Sequence, residues 1–385
     1  MPQELISDDS AAPYAIVMKH RNNAGTYMGR CFQNPTRARI FIYFTCFIII
    51  GIFVYVAIFA YTTYTMMLTS YFVTDDTVVT MIPEYVVQQR RDFNFIILER
   101  VCSKTTPKCY TVKDMRAKAD PNFTERHLFV DGFEDESESI ARLIPPKGAT
   151  FEDSDTRIWQ INHKYLMTEY IYCLAISPFL VSSISETESN EGKKVLELGL
   201  GGGSLDMFLH AHFPLMQITA IELEQVVAEL AEKWFGVKND TSRQTLIRDG
   251  LKFVEEAEQT GLSYDVIFLD ACDLDKFVPC PAKNFRNPKI VKTMKNLLTS
   301  TGVLIVNMLP MKDDEEQLES AMKVFTDTFP SCLKFRLARE VNVVLACTKL
   351  GIKELNVMIK FYRKRAMKSA HALGVPHFAN SLLIK

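Results

Sequence analysis

The sequence predicts a doubly wound α/β domain with a mainly parallel sheet, preceded by a small β-rich region and by one apolar span long enough to cross a membrane. Three observations predict it. Val195–Ser204, VLELGLGGGS, joins an apolar run to a glycine-dense turn. Further apolar runs come after it at spacings that leave room for helices, and several close on an acid. Ile40 to Thr74 contains no charged residue.

The turn is the anchor of the reading. Val-Leu-Glu-Leu, with Glu197 inside it, suits a parallel strand buried on both faces. Gly199, Gly201, Gly202 and Gly203 come next, and glycine lets a backbone approach a ligand that a Cβ holds off. Leu205–Phe213 reads as a helix start, whose first N–H groups are unpaired and suit an anion. Strand, glycine turn and helix together form the layout of a nucleotide site. A glycine turn alone is equally a plain loop, so the strands C-terminal to it carry the weight.

Gln217–Glu222, QITAIE, reads as a second strand ending on an acid. Glu222 lies about 20 residues past the turn, where an acid takes both ribose hydroxyls. Arg248-Asp249-Gly250 closes a third strand. Tyr264–Asp270, YDVIFLD, is a fourth, and Gly302–Asn307, GVLIVN, a fifth. Acids at the carboxyl ends of neighbouring strands gather at one sheet edge, where ligands bind in this architecture.

With these pieces assembled, the segment resembles class I S-adenosylmethionine-dependent methyltransferases of the spermidine-synthase-like group. Within that group it is most like the methyltransferase-like family that modifies elongation factor 1-alpha. The matching text is GLGGGSL, His212–Pro214, Trp234–Gly236, Asp249–Leu251, YDVIFLD, Cys280-Pro281 and Glu340-Val341-Asn342. The likeness runs from about Phe93 to Leu350 and is strongest over 195–348.

The resemblance implies a seven-stranded Rossmann-like sheet with an antiparallel hairpin at one edge, and S-adenosylmethionine as cofactor. It implies Glu197, Gly199, Gly201 and Gly203 at the methionine end and Glu222 at the ribose. Leu223, Asp249, Gly250 and Leu251 fall around the adenine. Asp270 becomes the residue that holds an acceptor amine and removes its proton, touching the cofactor as well, with Asp273 as a second acid. A helix over Asp155–Ser177 is expected to cover the cofactor, which makes His163 and Tyr165 substrate-binding candidates. The acceptor implied is an amine on a protein, and a homodimer is possible in this group. Two alternatives stand beside this. Polyamine aminopropyltransferases share the fold but read GGGDG at the turn, where this chain has Gly202 at the aspartate position; their later acidic pair is kept as Asp270 and Asp273. A membrane-anchored binding protein without catalysis is the other.

Outside this core, residues 1–39 are polar and irregular, read as a disordered cytoplasmic tail that is basic near its end. Residues 40–62 read as a transmembrane helix, since about 20 apolar residues cross the hydrocarbon. Tyr61, Tyr64 and Tyr71 suit an interface belt. Basic residues before the span and Asp75 and Asp76 after it put the N-terminus in the cytoplasm and the catalytic part in a lumen or outside. Asn122 and Asn239 lie in glycosylation sequons, and Cys102 and Cys109 could pair across a short loop. Residues 83–150 read as a β-rich region containing FIILERV and HLFVD, with Asp131-Gly132 as a turn signal and Asp135–Glu138 as a solvated acidic loop. Residues 155–350 are the methyltransferase domain, with a hairpin over 332–337 and 341–348. Residues 351–385 form a basic helix and tail with a solvated face.

Composition excludes little. The chain has 385 residues and a net charge of −2, so nothing pulls it as a whole toward nucleic acid. Nine cysteines are too few for a disulfide scaffold and show no CxxC pattern for a metal.

Overall fold

The computed structural model describes residues 95–132, 137–311, 314–351, 355–376 and 382–384. These lie within one compact unit, Val79–Lys385. The expected tail at 1–39 and the expected span at 40–62 lie outside the described residues.

Two sheets carry the described chain. The smaller is a meander: β1 (Phe95–Cys102), β2 (Cys109–Arg116), β3 (Thr124–Val130), β4 (Ser137–Ile144) and β5 (Gln160–Ile161), each antiparallel to the next. Its inner face presents Tyr110, Val112, Leu128 and Ala141 to Val226, Val227, Leu230 and Phe235 of a helix of the larger domain. A buried ion pair fixes the same contact. The guanidinium of Arg126 donates to both oxygens of Asp114, at 2.7 and 2.8 Å, and to the carbonyls of Trp234 and Thr156, at 2.7 and 2.8 Å. The small sheet is therefore bolted to the large one through backbone as well as side chains.

The larger sheet has the order β13-β11-β12-β10-β9-β6-β7-β8. Its strands are β6 (Lys194–Leu198), β7 (Gln217–Glu222), β8 (Arg243–Ile247), β9 (Tyr264–Leu269), β10 (Leu298–Met308), β11 (Ser331–Leu337), β12 (Val343–Thr348) and β13 (Leu382–Ile384). β6 to β10 are mutually parallel, and β12 runs antiparallel to both β10 and β11. All seven expected strands are present, and the short β13 adds an eighth at the edge beyond β11. All six residues of β9 are buried, which is why its sequence is a continuous apolar run rather than an alternating one.

Helices cover both faces. Glu169–Leu180 and Leu355–Ala372 enclose one apolar cluster with Val266, Phe268, Ile305 and Phe335. Gly250–Gln259, Pro288–Leu297 and Glu315–Thr328 enclose the other, with Leu196, Ile267, Leu304 and Leu345. The helix starts obey local rules. Asp249 accepts from the N–H groups of Leu251 and Lys252, and Asn287 caps a helix opened by Pro288. The C-terminal helix is basic on one side, as expected, but Tyr362, Ala366 and Ala370 are buried, and Lys368 pairs with Glu186 at 2.8 Å.

One expected helix is shorter than its sequence suggested. The stretch 155–177 does not form one helix. Asp155 caps a single 3-10 turn at Thr156–Ile158, Gln160–Ile161 pairs with β4, and the α-helix begins only at Glu169. Its start is fixed from far away in sequence, because the carboxylate of Glu340 accepts the N–H groups of Glu169 and Tyr170, both at 2.8 Å.

Cys102 and Cys109 pair, as their short loop allowed. Cys272–Cys280 and Cys332–Cys347 pair as well, which the sequence reading did not name. The bridges span only 7, 8 and 15 residues, so they staple local hairpins and one loop while the apolar clusters form the core.

Candidate active site

The glycine turn sits where β6 ends, and four of its glycines are required by geometry. Gly199 has φ +98°, and a Cβ there would stand 2.5 Å from the carbonyl oxygen of Asp270 on the neighbouring strand. Gly203 has φ +71°, and its Cβ would stand 2.4 Å from Val237 Cγ2. Gly201, at φ +53°, and Gly202 both face Ser139 of β4, whose Oγ accepts the N–H of Gly202 at 2.8 Å. The small sheet thus closes down on the turn from above. Gly199→Ala is expected to cost about 1–2 kcal/mol from the left-handed backbone, with the clash against the Asp270 carbonyl adding to it. Urea unfolding checks it, and a midpoint equal to wild type would contradict the close approach to Asp270.

Glu222, at the tip of β7, points at the turn. Its carboxylate accepts from Leu200 N at 3.1 Å and Glu224 N at 2.9 Å, with the Gly201 and Leu223 N–H groups also acting on it. Burial outweighs these donors and lifts its pKa above the usual carboxylate value. Leu223 beside it is 64% exposed, an apolar side chain laid open next to the acid. Asp249, at the tip of β8, spends Oδ1 on the helix it caps and keeps Oδ2 without a hydrogen-bond partner among the described residues. Gly250 lies against Phe285, where a Cβ would meet its ring at 3.0 Å.

Glu197 is 2% exposed within β6, and its Oε2 has no hydrogen-bond partner among the described residues. Burial, with Asp206 and Asp270 nearby, holds its carboxyl well above the ordinary range. Beneath it lies a fully buried ion pair, in which Arg243 donates to Asp206 from both Nε and a terminal nitrogen. That guanidinium is spent on Asp206, so the Glu197 carboxyl has no cation bonded to it and stays raised.

Asp270 ends β9 beside the turn. Its Oδ1 accepts from Asn307 Nδ2 at 2.7 Å, and Asn307 Oδ1 accepts from Asn342 Nδ2 at 2.9 Å. Burial drives the Asp270 carboxyl up to about 7, opposed by the Asn307 bond and helped by Glu138. Tyr170, on the first turn of the helix that Glu340 caps, faces the same space: burial first, then Asp270 and Glu138, push its phenol up. The tail of the matching text is thereby explained. Glu340 seats the helix that presents Tyr170, and Asn342 completes the chain of amides that holds Asp270.

Of the other expected site residues, Asp273 is spent on its own loop, while His163 and Tyr165 line a small pocket with Gly202, Gly203 and Ser204 of the turn. Asp273 is not free for chemistry, since Oδ1 accepts from Asp275 N at 2.9 Å and Oδ2 from Lys283 N at 2.7 Å. It folds the loop that Cys272–Cys280 closes. His163 lies behind the turn, its Nε2 3.1 Å from where a Gly236 Cβ would be, and burial depresses its pKa to about 4. Tyr165 is stacked by the guanidinium of Arg142 at 4.6 Å and belongs to the small sheet's wall. The sequence reading missed Asn307, Tyr170 and Glu138. For Asn307 a signal existed, a polar residue closing an otherwise apolar strand.

A doubly wound, mainly parallel sheet with acids at neighbouring strand tips above a glycine turn defines the methyltransferase and spermidine synthase class of α/β folds. Residues 179–338 match the spermine/spermidine synthase domain, so the chain carries a spermidine-synthase-like domain. A Drosophila melanogaster protein named eEF1A lysine and N-terminal methyltransferase homolog is 28% identical over 55% of this chain and 31% of its own length. The Xenopus laevis eEF1A lysine and N-terminal methyltransferase is 27% identical over 67% of this chain and 40% of its own. The chain thus spans a minor part of the curated relatives it matches. A probable spermidine synthase from Corynebacterium glutamicum has the same fold, at 14% identity and TM-score 0.52, over 75% of this chain and 91% of that one. The crystal structure of human methyltransferase-like protein 13 in complex with SAH is 26% identical over 56% of this chain and 94% of that one, at TM-score 0.46.

These findings correct one expectation. Among the described residues no helix is long and apolar enough to cross a membrane, and the relatives are named for modifying eEF1A. The membrane-anchored placement with a luminal catalytic domain is not retained, nor is the glycoprotein reading that accompanied it. The Oδ1 of Asn239 has a structural use, accepting from Thr245 N at 2.8 Å and from Arg243 at 3.2 Å.

Proposed function

We propose that the chain is an S-adenosylmethionine-dependent methyltransferase whose acceptor is an amine on a protein. The observation that carries this is Asp270, a carboxyl held by Asn307 next to the glycine turn, with a pKa near 7. A carboxylate with that affinity for a proton is suited to take one from an amine near neutral pH.

The cofactor fits the groups present. Glu197 Oε2 is a buried polar atom without a partner among the described residues, and Gly199, Gly201 and Gly203 keep the turn bare of side chains where the methionine end would lie. Glu222 is placed to accept from the ribose, and Asp249 Oδ2 and Leu223 to receive an adenine edge and face. When bound, the cofactor supplies an electrophilic methyl on a sulfonium. The chain's own part is to align the amine with it and to receive the proton at Asp270, since direct displacement needs little beyond alignment.

Aminopropyl transfer is less well served. Gly202 stands where the polyamine enzymes carry an acid, its N–H is engaged by Ser139, and Asp273 is consumed by its loop. A protein acceptor is supported by the rim of the site. Leu274, Phe277, Met311 and Val341 are 61%, 49%, 42% and 62% exposed on the loops around Asp270, and Met311 N bonds Phe277 O at 2.8 Å. Apolar side chains collected at a mouth favour a macromolecular surface over a small polyamine.

The test is calorimetric titration with S-adenosylmethionine, then transfer of a labelled methyl into protein extract with amino-acid analysis of the product. Wild type is expected to bind at one site and to yield methylated amine. Glu222→Gln is expected to bind roughly 10- to 100-fold more weakly, the value of hydrogen bonds to a charged group. Absence of binding in wild type would overturn the proposal, as would transfer only from the decarboxylated donor to polyamines.

A further inference from the structure

The residue that the sequence hid most completely is Glu138. By composition it belongs to an acidic loop turned to solvent. In the fold it is the extra residue of a β-bulge. Leu128 of β3 pairs with Ser139, while the next residue, Phe129, pairs with Ser137, so Glu138 has no partner on the neighbouring strand. Such bulges re-aim side chains and occur beside active sites. Here the bulge shifts the alternation of β4 by one. Ser137 goes to the outer face, where its Oγ meets His127 at 2.7 Å, and Ser139 goes inward to the N–H of Gly202. Glu138 is released between them, next to the residue that bonds the glycine turn.

Its surroundings come from the large domain. Burial raises the carboxyl of Glu138, Glu222 raises it further, and Lys108 is the cation that opposes them. Glu138 in turn raises Asp270, Tyr170 and Tyr110. Yet the side chain is exposed, and its carboxylate makes no hydrogen bond or ion pair with a described residue. Exposed to water yet within electrostatic reach of Asp270, Tyr170 and Tyr110, Glu138 stands at the rim of the site. A second polar group in the same space also lacks a partner among the described residues: Glu197 Oε2, buried within β6 and coupled to Asp270 and Glu222. Glu138 repels both Glu222 and Asp270 with Lys108 opposing it, and an arriving cation relieves that cost.

We propose that Glu138 determines acceptor specificity: it grips the ammonium group of the incoming acceptor from above, opposite Asp270. The proposal rests on the amine-methyltransferase reading and adds the substrate's charge to it. The acceptor enters as a cation. Asp270 takes one proton from nitrogen, which frees the lone pair for the methyl, and Glu138 keeps a hydrogen bond from a remaining N–H. Tyr170 lines the side between them. Neutral acceptors, such as hydroxyls or acetylated lysine, gain nothing from the pair and are disfavoured.

The experiment compares wild type with Glu138→Gln on two readouts. The first is the dissociation constant for S-adenosylmethionine by calorimetry. The second is KM and kcat for methyl transfer to a peptide carrying one lysine, with its acetyl-lysine counterpart as the neutral control. Glu138→Gln is expected to leave the cofactor constant and the unfolding midpoint within about twofold, since the residue is exposed. It is expected to raise KM for the lysine peptide roughly 10- to 100-fold, the worth of a hydrogen bond to a charged group, with kcat changed far less. Binding of the lysine peptide in the presence of S-adenosylhomocysteine should weaken by the same factor. An unchanged KM and an unchanged peptide affinity overturn the assignment. So does a variant that loses cofactor affinity while keeping its acceptor constants, because Glu138 would then serve the cofactor's own ammonium. Failure of wild type to bind S-adenosylmethionine sinks the underlying reading instead, and is told apart because it does not depend on position 138.

Discussion

Asp270→Asn is expected to lower kcat/KM for methyl transfer by about 10²- to 10⁴-fold, the usual contribution of a positioned base. Cofactor affinity should stay within a few-fold, because Asn keeps the shape and leaves the turn intact. The pH dependence identifies the group. A carboxyl that titrates near 7 is active as the carboxylate, so wild-type kcat/KM falls as pH drops through about 7, and the variant lacks that break. Stability runs the other way. A folded-state pKa raised above the unfolded one contributes stability that is full below the unfolded value and is lost as pH rises through about 7. Asn carries no such dependence, so the variant should gain more in unfolding midpoint at pH 8 than at pH 5. A variant with wild-type kcat/KM across that range would remove Asp270 from the chemistry.

Asp206→Ala is expected to destabilise the chain by about 3–5 kcal/mol, because it strands Arg243 in the core. Both side chains are fully buried beneath Glu197, and among the described residues the Arg243 guanidinium otherwise reaches only Asn239 and the Lys238 carbonyl, at 3.2 and 3.4 Å. Urea unfolding should show a lower midpoint at an unchanged slope. The double variant Asp206→Leu with Arg243→Met should recover most of the loss, since an apolar pair of similar volume replaces two desolvated charges. If the single variant unfolded at the wild-type midpoint, the pair would not be holding β8 to the helix after the turn. The same experiment bears on the site, since after burial Asp206 raises the Glu197 carboxyl and Arg243 lowers it.

The legible part of the site was the part carried by short-range pattern. Gly199, Gly201 and Gly203, Glu222 and Asp270 are all named by their place at the end of an apolar run, and their backbones stand where that run puts them. Asp273 was misread because spacing cannot tell a carboxylate aimed at a ligand from one that folds its own loop; two backbone N–H groups within ten residues decided it. His163 and Tyr165 reach the turn from a loop and not from the expected helix. The chain delays that helix to Glu169, where the carboxylate of Glu340, 171 residues away from it, supplies the cap.

By itself the sequence determined the sheet, its parallel core and hairpin edge, and the edge at which a ligand would lie. Period and glycine placement act within a few residues, and burial on both faces leaves a β-strand little choice of composition. Only the tertiary structure decided which acids face one another. Glu138 comes from a bulge in one sheet, Asp270 from a strand tip in another and Tyr170 from a helix capped out of sequence, and no local rule brings the three together. Their meeting depends on the docking of the small sheet through Arg126 and Phe235, a contact between side chains far apart along the chain.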